Sequence, residues 1–114
     1  MSQLYITIGL FSLAALLGLI LISYVLRSKE TPKAAVFAHG VMAAAGLVLL
    51  LMYVIDNGPG PWESLVLFVL AALGGFFMFY RDITGRSVPK VLAVAHGLLA
   101  VTGFVLLLIF TFSS

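Results

Sequence analysis

The sequence predicts an all-α membrane protein: an up-down-up-down bundle of four transmembrane helices built from two tandem helical hairpins. Three observations carry this expectation. Of 114 residues, 63% are hydrophobic and 9% charged, and mean hydropathy is +1.25. A soluble domain is about half apolar and a quarter charged, so this chain lacks the polar surface to cover a water-facing globule. Four runs are long and apolar enough to cross a bilayer, which takes about 20 residues. Finally, the second half of the chain repeats the first, with a period equal to half the chain length.

The first span runs roughly from Leu4 to Leu26, the second from Ala34 to Ile55, the third from Trp62 to Tyr80 and the fourth from Val91 to Phe112. None has an Asp, Glu, Lys or Arg in its interior. The connections RSKETPK, DNGPGP and RDITGRSVPK are short, which forces successive helices antiparallel. Gly58, Pro59, Gly60 and Pro61 make the middle connection a tight turn. The N-terminus has no basic region and no small-residue cleavage site, so span one does not read as a signal peptide.

Composition also removes several function classes. High hydrophobicity excludes disorder. The absence of cysteine removes disulfides, thiolate metal sites, iron–sulfur clusters and thiol catalysis. The net charge of +2 comes from six basic residues. In so apolar a chain these read as topology signals, and no nucleic-acid partner is expected. Arg27, Lys29 and Lys33 lie in connection one, and Arg81, Arg86 and Lys90 in connection three; the middle connection carries only Asp56, with Glu63 just beyond. The positive-inside rule puts connections one and three in the cytoplasm and both termini outside. Tyr5, Tyr53 and Trp62 then mark the outer interface and Tyr24 and Tyr80 the inner one. The expected location is a bacterial inner membrane, with lipid as the surrounding partner.

The repeat divides one transmembrane domain, residues 1–114, into residues 1–57 and 58–114. Pro32-Lys33 matches Pro89-Lys90, Ala38-His39-Gly40 matches Ala95-His96-Gly97, and Gly46 matches Gly103. Leu13-Ala14-Ala15-Leu16 matches Leu70-Ala71-Ala72-Leu73, and Gly18 matches Gly75. Leu-rich spans match by chance; His, Gly, Pro and Lys in register do not. Two spans per copy give both copies one orientation, with a pseudo-two-fold along the membrane normal. Spans two and four then lie on a diagonal, and symmetry lets His39 and His96, the only histidines, face each other.

Each histidine lies six residues past a lysine, about 9 Å inside the cytoplasmic boundary. An ionisable residue at that depth is a functional hypothesis. Three readings compete. A neutral histidine can hydrogen-bond a neighbouring helix. A bare metal ion such as zinc wants four ligands, and two histidines do not close that shell. Haem needs at most two axial ligands, which His39 and His96 supply.

The flanking residues favour haem. The His39 face continues through Ala35, Ala43 and Gly46, and the His96 face through Leu92, Ala100 and Gly103. Gly18 and the Gly74-Gly75 pair bring glycine to the same depth on the other two spans. Small residues leave room for a flat macrocycle, although close helix packing uses them too. Lys33 and Lys90, with Arg27, Arg81 and Arg86, lie on the side nearer the histidines and could pair with haem propionates.

His39, His96, Gly46, Gly103 and the four-span layout together resemble transmembrane b-type cytochromes built on four-helix bundles, of the cytochrome b and cytochrome b561 kind. In that family histidines on parallel helices ligate haem, and glycines make room for the ring. The resemblance implies one haem b per chain, bound by His39 and His96, and one-electron transfer. Its departure is the absence of a second histidine pair, so a second haem is not implied. A quinol or a partner subunit would exchange the electron, and quinol-linked oxidoreductase activity stays open. Phe76, Phe77, Phe79 and Tyr80 offer a quinone site, but they read more strongly as lipid-facing aromatics. The alternative is a small non-haem membrane protein, a structural subunit or a small transporter, with the histidines used for helix packing or metal binding. Drug–proton antiport of the small multidrug-resistance kind would need an embedded glutamate, which span one lacks.

Overall fold

The computed structural model describes residues 2–113, and among them the regular structure consists of four helices. They are α1 (Ser2–Leu26), α2 (Lys33–Asp56), α3 (Trp62–Ile83) and α4 (Lys90–Phe112). At 1.5 Å per residue each is about 33–38 Å long, against a hydrocarbon core of about 30 Å. All four are long and apolar enough to cross a membrane. The helices match the expected spans to within two residues, except that α3 continues through Arg81, Asp82 and Ile83. That extra turn is polar because it has left the apolar run.

Local chemistry sets the helix ends. Three helices start directly after a proline: Pro32, Pro61 and Pro89, with φ of −69°, −79° and −63°. The ring fixes that torsion and has no N–H to leave unpaired. Each proline carbonyl accepts the first helical bond, from Val36, Leu65 and Ala93 at 3.1, 3.0 and 3.0 Å. At the far ends, α1 and α3 stop in the same way. Lys29 N–H bonds the Tyr24 carbonyl at 2.9 Å and Arg86 N–H the Arg81 carbonyl at 2.9 Å. The residues before them, Ser28 and Gly85, sit at φ 56° and 79°. This is the Schellman ending, which needs a left-handed residue at that point. Ser28 and Gly85 are repeat partners, so the two hairpins turn at equivalent positions.

Each hairpin packs its own two helices together, α1 on α2 and α3 on α4; α1–α4 and α2–α3 contacts close the ring, and the α2–α3 seam is the sparsest. The bundle measures 43 × 23 × 19 Å. Large apolar side chains point outward along every helix, among them Leu19, Val41, Phe76 and Val91. Between lipid-embedded helices there is no hydrophobic driving force, so close packing and hydrogen bonds hold the bundle together.

The packing is uneven along the axis. Buried side chains gather at the end that carries the chain termini: Leu4, Thr7, Phe11 and Ala14 on α1; Gly46, Leu50 and Val54 on α2; Ser64, Leu65, Phe68 and Ala71 on α3; Gly103, Leu107 and Thr111 on α4. Most of these fall at matching positions of the two hairpins. Beyond Ala14 and Ala71, and before Gly46 and Gly103, the only buried residue within the described helices is Ala93. The half beside connections one and three is therefore loosely packed. At the border Phe11 of α1 and Phe68 of α3 stack across one diagonal, centroids 4.0 Å apart and planes 11° from parallel.

Candidate functional site

The other diagonal carries the histidines. His39 is on α2 and His96 on α4, and their ring centroids are 6.1 Å apart with the planes at 71°. Both rings are half-buried. They sit just beyond the Phe11–Phe68 stack, in the loosely packed half.

Each ring is anchored within its own hairpin. His39 Nδ1 lies 2.8 Å from the Ala14 carbonyl of α1, and His96 Nδ1 lies 2.7 Å from the Ala71 carbonyl of α3. A carbonyl oxygen only accepts, so Nδ1 carries the proton in both rings. Nε2 is then the lone-pair nitrogen, the form in which a neutral imidazole binds a metal.

Glycine makes these contacts close. A Cβ added at Gly18 would come within 3.2 Å of His39 Cε1, and one at Gly75 within 3.1 Å of His96 Cε1. The space expected for a macrocycle at these two positions is taken by the imidazoles. The same holds for the other glycine pair. A Cβ at Gly46 would meet the Phe11 ring at 3.0–3.1 Å, and one at Gly103 would meet Leu67 Cβ at 3.3 Å and the Ser64 carbonyl at 3.4 Å. Gly46 and Gly103 thus admit core side chains one layer away from the histidines. Gly74 has only Leu92 Cδ1 near it, at 3.8 Å. Ala35, Ala43 and Ala100 are half-buried, with Ala100 against the core.

The cations divide unequally. Lys33 Nζ is 3.0 Å from Asp82 Oδ2, and the Thr31 hydroxyl donates to the same oxygen at 2.6 Å. This clasp joins the start of α2 to the end of α3 across the sparsest seam. Its repeat counterparts are Val25 for Asp82 and Val88 for Thr31, so the opposite seam has no such clasp. Lys90 is exposed, and Arg27 and Arg81 lie over the Tyr24 and Phe77 rings at 5.1 and 5.9 Å. Phe76, Phe77 and Tyr80 are exposed on the outer surface of α3, while Phe79 meets Phe37 edge-on at 5.5 Å.

Sequence reasoning missed the Ala14 and Ala71 carbonyls, the stacked phenylalanines and Asp82. The first two were within reach: Ala14 and Ala71 lie four residues before Gly18 and Gly75, and Phe11 and Phe68 are repeat partners. Asp82 has no repeat partner to draw attention to it. Among the described residues no group of three or more His, Cys, Asp or Glu could hold a metal ion. Two shallow grooves of about 380 Å³ lie at the opposite end, around Trp62 and between Pro61 and Phe110. No protein-family model, curated protein or solved structure matches this chain.

Proposed function

We propose that the chain is a small integral membrane protein, of the bacterial inner-membrane kind, that holds one b-type haem between His39 and His96 and passes single electrons. The observation that carries this reading is the histidine pair itself. The two imidazoles lie at equivalent depth, on diagonal helices, 6.1 Å apart, each with Nδ1 tied to a carbonyl. The donor set also fits: two nitrogen ligands are too few for a closed zinc shell and enough for an iron whose other four positions are a porphyrin's. A hydrogen bond from the second ring nitrogen to a carbonyl is the usual support of a metal-bound histidine.

When bound, haem would supply a one-electron couple, and His39 and His96 as its ligands would favour electron transfer over oxygen chemistry. The chain's own residues do the rest. Ala14 and Ala71 hold the rings in orientation, and the Phe11–Phe68 stack closes the site towards the termini. The half that holds the histidines has few buried side chains, so a flat ligand bound there would displace little packing. Lys90, exposed and outside the clasp that engages Lys33, would pair with a ligand carboxylate. Membrane quinol or a partner subunit is the class of redox partner in keeping with this role. Connections one and three carry all six Lys and Arg residues, which supports their cytoplasmic placement.

A second reading has its own observation. The His39–Ala14 and His96–Ala71 bonds join neighbouring helices, and the two rings meet edge to face. That is sufficient for a packing role in a non-haem protein. A reduced-minus-oxidised visible spectrum of protein expressed with haem supplied separates the two. Haem binding gives a b-type, six-coordinate low-spin spectrum at about one haem per chain; a colourless protein overturns it.

A further inference from the structure

Gly18 and Gly75 lie on the helices that do not carry the histidines, yet each packs against a histidine ring. Each is four residues past the carbonyl that its histidine reaches. In a helix the carbonyl of residue i is bonded to the N–H of residue i+4, here Gly18 and Gly75 themselves. A carbonyl has a second lone pair, but the side chain at i+4 ordinarily stands over it. Glycine removes that cover. The Cε1–Nδ1 edge of the imidazole settles where a Cβ would be, 3.1–3.2 Å from Cε1 and 3.6 Å from Nδ1, and Nδ1–H donates to the exposed lone pair.

We propose that Gly18 and Gly75 are positioning residues for the two histidines. Each forms, with the carbonyl one turn earlier, a cradle that fixes its imidazole as the Nδ1–H tautomer and leaves Nε2 free to bind a metal. The cradle occurs twice, at matching positions of the two hairpins, so both rings are set alike before any ligand arrives. The tautomers follow from the hydrogen bonds alone, while the use made of Nε2 rests on the haem reading. Gly9, on the same helix as Gly18, has nothing within 4 Å of an added Cβ among the described residues. It is the control for inserting a methyl group without touching a ring.

The test is nitrogen-15 NMR of the full chain in detergent, labelled at histidine and expressed without added haem, with haem affinity measured in parallel. The wild type should show both rings protonated at Nδ1 and unprotonated at Nε2. Gly18→Ala should shift His39 alone towards a mixture with the Nε2–H form, Gly75→Ala should do so to His96 alone, and Gly9→Ala should leave both unchanged. Haem affinity should fall by about 10–100-fold in the two cradle variants, as it does when outer-shell partners of metal ligands are lost. The wild-type tautomers need no variant to fold, and finding either ring as Nε2–H overturns the cradle. So does an unchanged tautomer in a folded Gly18→Ala chain, while a changed tautomer with unaltered haem affinity supports the cradle and overturns the use of Nε2 as a haem ligand. The expected tautomer pattern in a chain that binds no haem in any form supports the cradle and overturns the haem reading.

Discussion

Gly46→Ala and Gly9→Ala make the same chemical change on two helices of the bundle and should have opposite effects on stability. Alanine is favoured over glycine in a helix interior by about 0.8–1.0 kcal/mol. At Gly9, where an added Cβ meets nothing within 4 Å among the described residues, that gain stands alone. At Gly46 the new methyl would lie 3.0–3.1 Å from three atoms of the Phe11 ring. That ring cannot simply rotate away, because its other face is stacked on Phe68 at 4.0 Å. Overpacking of this kind costs about 1–3 kcal/mol, so the net effect is a loss of up to about 2 kcal/mol. Gly103→Ala should cost less, since its one tight neighbour is Leu67 Cβ at 3.3 Å and the Ser64 carbonyl at 3.4 Å is near ordinary contact. The assay is reversible unfolding in mixed micelles, read by helical circular dichroism. If Gly46→Ala stabilises the protein as much as Gly9→Ala does, the Phe11–Gly46 contact is not the packing constraint described here.

Other outcomes follow from the same geometry. Ser28→Gly should raise stability by up to about 1 kcal/mol, because Ser28 holds the left-handed conformation at φ 56° that Gly85 holds in the second hairpin, and the relief of that strain is partly offset by glycine's greater freedom in the unfolded chain; thermal unfolding measures it. Asp82→Asn removes the charge of the clasp with Lys33 and should cost about 0.2–1 kcal/mol, the range of a partly exposed ion pair, with the difference shrinking in high salt. A cysteine placed at Ser2 should be labelled by an impermeant reagent only from outside the cell, and labelling only from the cytoplasm would reverse the topology. The equivalent probe at Ser114 lies outside the described residues.

The fold was legible because it depends on signals that sequence carries directly. Apolar runs set the helices, the prolines before α2, α3 and α4 set their starts, and the half-chain repeat set the pairing of the hairpins. The diagonal placement of His39 and His96 followed from that repeat and from short connections alone. The use of the glycines was less legible. Gly18, Gly46, Gly75 and Gly103 all read as room beside a flat ligand, but a missing Cβ does not say what fills its space. In the structure an imidazole fills it twice and core side chains fill it twice. Helix rotation decides between these, and rotation is set by packing across the bundle. The Lys33–Asp82 clasp escaped notice for a different reason. Asp82 lies past the apolar run, in sequence read as connection, and only the extra turn of α3 brings it to Lys33.

Replacing each histidine separately tests the axial pair most directly. His39→Ala and His96→Ala should each abolish the six-coordinate low-spin spectrum and weaken haem retention, to a similar extent, since the two rings are matched in depth, hydrogen bonding and glycine contact. If both histidines serve packing only, each substitution would remove one interhelical hydrogen bond, about 0.6 kcal/mol, with no chromophore affected. The measurement is the visible and electron paramagnetic resonance spectrum of the wild type and both variants, purified in parallel with haem supplied. Equal loss of the low-spin signal in both variants is the expected result; an unchanged spectrum after removal of either histidine contradicts the pair.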